Sequence, residues 1–227
     1  MENKNENDLL LSLFRRCLNA KYIHIEENSA DYALEEDDCG KTLFIFFQWS
    51  NGKEDWKNNF DFAAEPYKDM DVRWKCHRGF LRVWKTIEPY IKDNILDTKY
   101  SAIRIVGYSH GSAIATLAHE YVWFNRPDLR QKTNENDWGL MSYGFGCPRV
   151  FFGKIPKELK ERWLTFLPIR NINDIVTHVP PVLFGYRHVA RVVKIGEKGK
   201  LIRYRWLDCV SAHYPKNYEL SLGADRE

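Results

Sequence analysis

Apolar residues recur along this chain with two spacings, and the switches between them mark out the elements. Residues 8–20, DLLLSLFRRCLNA, put Leu10, Leu13, Phe14 and Cys17 on one helical stripe, with Asp8 as its N-cap. A stripe this short predicts a helix packed on a core rather than one lying on a membrane. Residues 42–49, TLFIFFQW, read as a buried strand. Residues 79–95 read as a helix that Pro89 interrupts. The run SAIRIVG (101–107) is a strand, and from Ser109 to Phe124 the residues Ile114, Leu117, Ala118, Tyr121 and Val122 define one helical face. WGLMSYGFG (138–146) and RWLTFLPIRNI (162–172) are further strands. GYRHVARVVKI and KLIRYRWL flank the turn GEKGK as a hairpin. Strands alternating with helices predict an α/β fold with a mostly parallel central sheet and helices on both faces. The 227 residues are enough for one such domain, taken here as residues 1–227.

Composition narrows the function classes. The chain is 44% hydrophobic and 15% aromatic, as a globular protein is. A net charge of +3, with Lys and Arg scattered, argues against a nucleic-acid partner. The longest clean apolar run, Leu43–Phe47, is far too short to span a bilayer, so no transmembrane segment is expected. The N-terminus MENKNENDLL is not a secretory signal, which leads to an expectation of a cytoplasmic location. The five cysteines are widely spaced, with no C-x-x-C, which predicts neither a metal site nor a disulfide framework.

The chemistry centres on Gly107-Tyr108-Ser109-His110-Gly111, set between a predicted strand and a predicted helix. That setting suits a nucleophile elbow, a sharp turn that lifts a serine hydroxyl above a sheet. Gly107, Gly111, Ser112, Ala113 and Ala115 are all small, as close strand–helix passage requires. The backbone N–H of His110, at the helix N-terminus, is a candidate oxyanion donor. A serine needs a base, and the base needs an acid to orient it. Asp174 in NINDIVTHVPP follows a predicted strand and leads over Asp128, Asp137 and Asp208. His213, in a loop after the last predicted strand, leads over His178, which lies four residues from Asp174. His119 lies on the elbow helix facing away from Ser109, and His188 reads as structural. Ser50, in the polar turn after the 42–49 strand, could supply a second oxyanion donor.

These pieces together resemble the class 3 lipases, the family of secreted fungal triacylglycerol lipases. GYSHGSAIA resembles the family's nucleophile motif, YGFGCPRV the Gly-x-Pro-Arg-Val stretch after it, and NINDIVTHVPP its acid loop. FFQWSNGKEDWKNNF resembles the oxyanion loop, HRGFL the start of the preceding helix, and HYPKNY the C-terminal histidine motif. The match runs from about residue 40 to 218. It implies an α/β-hydrolase fold that needs no cofactor, with Ser109, Asp174 and His213 as the triad and Ser50 and the His110 N–H as the oxyanion hole. It also implies a lipid or other ester substrate and transient contact with a lipid surface. The chain departs from the family at Gln48-Trp49, where Arg-Gly is usual, and at Tyr108 and His110-Gly111-Ser112 around the nucleophile. Trp49, Tyr108 and His178 are therefore candidates for the substrate pocket. A lid would fall between Trp56 and His77, a stretch without a long apolar stripe. The alternatives to a lipase are a hydrolase of small soluble esters or thioesters and a catalytically silent scaffold that binds lipid or a protein.

Overall fold

The computed structural model describes residues 2–48, 61–67, 74–134, 137–196 and 210–224. Helix α1 (Glu2–Asn19) is followed by strands β1 (Ile23–Ile25), β2 (Ala30–Glu36) and β3 (Thr42–Phe47). Strands β4 (Ala64–Tyr67) and β5 (Trp74–His77) lead into α2 (Arg78–Leu96), β6 (Ala102–Tyr108) and α3 (His110–Asn125). The chain continues through a ribbon, β7 (Lys132–Asn134) and β8 (Asp137–Trp138), then β9 (Leu140–Phe145) and β10 (Phe151–Phe152). A 3₁₀ stretch, Lys157–Thr165, precedes β11 (Phe166–Asn171), β12 (Tyr186–Arg187), β13 (Val193–Ile195) and α4 (Pro215–Ser221).

The main sheet runs β1-β2-β3-β6-β9-β11-β13. From β3 to β13 every pairing is parallel, and β2 and β1 extend it in antiparallel fashion. The period-2 alternation of the central strands divides the core in two. Ile45, Phe47, Ile103 and Ile105 point toward α2 and α3, while Phe46 and Val106 point toward α1 and α4. Every residue of β6 is buried, as expected of a strand covered on both faces. A second sheet, β12-β10-β5-β4, is wholly antiparallel and lies beside the first.

Several local expectations are corrected. Helix α1 begins at Glu2, so Asp8 is interior to it and not its cap. The predicted stripe does pack on the core: the Phe14 ring lies 4.9–5.6 Å from those of Tyr108, Phe145 and Tyr218. Pro89 does not interrupt α2, because it and Lys85, whose carbonyl it frees, are exposed and water can serve that carbonyl. Helix α3 is buried on nearly all sides rather than on one face. RWLTFLPIRNI divides into a 3₁₀ stretch and β11. The first arm of the expected hairpin splits between the two sheets, as β12 and β13, and the other arm lies outside the described residues.

Helix α3 carries polar groups into the core, and each is placed against a partner. Glu120 forms an ion pair with Arg162. His119 bonds through Nδ1 to Ser142 Oγ at 2.8 Å and through Nε2 to the Arg162 carbonyl at 2.6 Å. Burial holds the His119 imidazole neutral, with its pKa lowered to about 4, and burial lowers His188 in the same way to about 4. The unfolded chain takes up these protons near pH 6.5 while the native chain does not. Stability conferred by neutral His119 is therefore complete above pH 6.5 and is lost as pH falls toward 4. Urea unfolding should show His119 alone costing about 2 kcal/mol between pH 7 and pH 5. The pH-dependent loss should shrink by that amount in His119→Gln.

Candidate active site

Ser109 occupies the turn between β6 and α3 with φ 55° and ψ −121°. For a residue bearing a Cβ this conformation costs roughly 1–3 kcal/mol, and it persists only where the surroundings enforce it. The two glycines of the motif show how it is enforced. A Cβ on Gly107 would stand 2.3 Å from the Gly111 carbonyl oxygen, and one on Gly111 would stand 2.1 Å from that of Phe47. Helix α3 thus starts in backbone contact with β6 and β3. Ser109 N–H donates to the Phe145 carbonyl at 2.8 Å, and the Ser109 carbonyl accepts from Ser112 N–H and Oγ. His110, the first residue of α3, has its amide among the helix-terminal N–H groups that no intrahelical carbonyl serves.

Three side chains separated by 104 residues of sequence meet above this turn. Ser109 Oγ lies 2.7 Å from His213 Nε2, and His213 Nδ1 lies 2.8 Å from Asp174 Oδ2. With Nδ1–H donating to the carboxylate, Nε2 is left free to accept from the serine hydroxyl. Asp174 is 1% exposed, and both of its carboxylate oxygens accept hydrogen bonds. Oδ1 accepts from Val176 N–H at 2.8 Å, and Oδ2 also accepts from Tyr218 O–H at 2.6 Å. Burial and the neighbouring Asp174 charge push the Tyr218 phenol far above its ordinary range, so it stays a donor.

The histidine loop is held from several sides. The Tyr108 hydroxyl donates to the His213 carbonyl, and the two rings stack with centroids 5.3 Å apart. Asn171 Nδ2, at the end of β11, donates to the Ala212 and Asn217 carbonyls. Gly146, at φ 60°, leaves the space that the imidazole fills: a Cβ there would lie 2.8 Å from His213 Cε1. Beneath the site lie the packed rings of Phe14, Phe145, Tyr108 and Tyr218, which exclude water from the side facing the sheet.

Of the residues singled out from sequence, Ser109, Asp174 and His213 come together, and His110 sits at the helix N-terminus beside them. Trp49 and Ser50 lie outside the described residues. Tyr108 is not in a substrate pocket, because its ring is buried under His213. His178 faces two guanidinium groups instead. Its Nε2 lies 3.0 Å from Arg170 Nη1, and its Nδ1 lies 3.4 Å from Arg149 Nη2. Part of the expected lid stretch is sheet. Tyr67 of β4 and Trp74 of β5 are buried, and the Trp74 ring stacks on Phe151 at 4.0 Å. Sequence reasoning overlooked Tyr218, Asn171 and Gly146 as individual contributors. All three sit inside the family-like motifs, and only the fold reveals what they touch.

Comparison with known proteins places this arrangement. The family model for "Lipase (class 3)" matches residues 44–184. A secreted mono- and diacylglycerol lipase from Fusarium solani is 25% identical over 158 residues, covering 68% of this chain and 44% of the relative. A lipase from Rhizomucor miehei is 26% identical over 155 residues, covering 66% and 41%. The chain thus spans less than half the length of these relatives. In fold, the native Rhizomucor miehei lipase propeptide complex superposes with a TM-score of 0.64 at 19% identity, over 97% of this chain and 78% of that one. With the family model matching well over half of its length, the chain belongs to the class 3 lipase family.

Proposed function

We propose that this chain hydrolyses carboxylic esters of lipids, acylglycerols foremost, through an acyl-enzyme. The observation that carries the reading is His213, within hydrogen-bond reach of Ser109 Oγ on one side and of the buried Asp174 carboxylate on the other. In attack, His213 Nε2 takes the Ser109 proton as Oγ bonds to the substrate carbonyl carbon, and Asp174 stabilises the imidazolium that forms. The tetrahedral oxyanion is met by the His110 N–H and, in this proposal, by Ser50. His213 returns the proton to the leaving alcohol, then activates water to release the acid. Family membership and the named activities of the relatives support a lipid ester as substrate.

Three measurements test this reading. Ser109→Ala should lower kcat for p-nitrophenyl esters by about 10⁶, and Asp174→Asn by about 10⁴, because the wrong imidazole tautomer would face the serine. Full turnover by Ser109→Ala would sink the mechanism. Across acyl chains from acetyl to palmitoyl, rates should rise with length and increase above the micellar concentration. A maximum at acetyl would overturn the lipid assignment. Gly146→Ala should displace the His213 ring and lower kcat about 10²-fold with KM little changed, whereas a merely structural glycine would leave the kcat-to-KM balance untouched.

A further inference from the structure

The loop that carries Asp174 continues onto a surface with two properties that belong together. Val182, Leu183 and Phe184 form one 3₁₀ turn and are 45%, 90% and 52% exposed. Phe152, also exposed, borders the turn, with its ring packed against Gly185. Leu183 has almost no protein around it, so the turn presents a convex apolar tip rather than a groove.

Around this tip lie three guanidinium groups. Arg187 Nη1 donates to the Val182 carbonyl, and Arg149 Nη1 to the Pro180 carbonyl, each at 2.8 Å. Arg170 stands on the far side of His178, and its Nε is buried and unpaired. Among the described residues, no carboxylate forms an ion pair with any of the three. Their mutual repulsion registers on their neighbours. Burial and then Arg170 and Arg149 lower the His178 pKa, while burial and then Arg187 and Arg170 lower that of Arg149. Among the described residues, positive charge with no ion-paired carboxylate thus stands beside an exposed apolar tip. Guanidinium groups suit phosphate oxygens. An apolar tip alone, or a few cations alone, binds a bilayer weakly, and the two together bind it well.

We propose that this corner docks the protein on an anionic phospholipid surface. The Val182–Phe184 turn enters the boundary between headgroups and acyl chains, and Arg170 and Arg187 meet the lipid phosphates. The proposal deepens the lipid-ester reading and rests on it for its purpose, since docking here sets the Asp174 loop against the lipid.

The test is co-flotation of the catalytically disabled Ser109→Ala chain with vesicles of phosphatidylcholine, alone or mixed with phosphatidylglycerol. Partitioning onto the mixed vesicles should exceed that onto phosphatidylcholine alone by more than tenfold and should weaken as salt rises. Leu183→Asp should lower it about tenfold or more, and Leu183→Trp should retain it. Arg170→Gln and Arg187→Gln should each lower it about fivefold on mixed vesicles and leave the weak binding to phosphatidylcholine unchanged. Thermal melting of each variant shows that it is folded. Equal partitioning onto both vesicle types, or unchanged partitioning of folded Leu183→Asp, overturns the proposal. The activity reading fails separately: a parent chain that cleaves no ester but still partitions refutes the hydrolase and leaves the surface standing.

Discussion

The site depends on one close approach. The first turn of α3 lies directly against the ends of β3 and β6, with no side chain between their backbones at Gly107 and Gly111. This contact forces Ser109 into its rare backbone conformation and lifts its hydroxyl clear of the sheet. With any larger residue at either position, on the strand or on the helix, the helix would stand away from the strands and take the serine with it. The polarity of the helix follows from the same contact, since its unserved N-terminal amides are brought to the side where an oxyanion would form. The strain at Ser109 is offset by burial elsewhere, and α3 is surrounded by core along nearly its whole length.

The charge arrangement is equally economical. Asp174 is a carboxylate taken out of water, which is costly unless it is hydrogen-bonded and paired. Here the donors are a backbone amide from its own loop, a phenol from α4 and the imidazole itself. Helix α4 therefore does more than cover the sheet. Through Tyr218 it ties the acid to the end of β11 and places the histidine loop, which lies just before it, over Ser109.

The strand–elbow–helix unit could be read from sequence because two periods meet at a glycine-framed serine, and because the order serine, acid, histidine constrains the search. The apolar stripe of α1 could be read for the same reason, as could the parallel sheet. The antiparallel additions were harder to see. β1 and β2 carry no strong alternation, and β4, β5, β10 and β12 are too short for a period to show. The full burial of α3 was hidden because His119, Glu120 and Thr116 look like a solvent face until Ser142 and Arg162 are found opposite them. Tyr108 read as a pocket residue because it adjoins the nucleophile. On a strand, though, the residue before the turn points to the other face, and it supports His213 from beneath.

The short segment after β9 joins these parts. Gly146 abuts the His213 ring, and Cys147 packs against Ser112 and Thr116 at the root of the elbow helix. Arg149 binds the His178 and Pro180 carbonyls of the acid loop, and the Val150 carbonyl receives the His77 amide at the start of α2. Within five consecutive residues, Gly146, Cys147 and Arg149 thus touch the seats of base, nucleophile and acid without lending an atom to the chemistry. A stretch with no reactive group can then be as intolerant of change as the triad, because it acts as the common datum from which three distant loops take their positions.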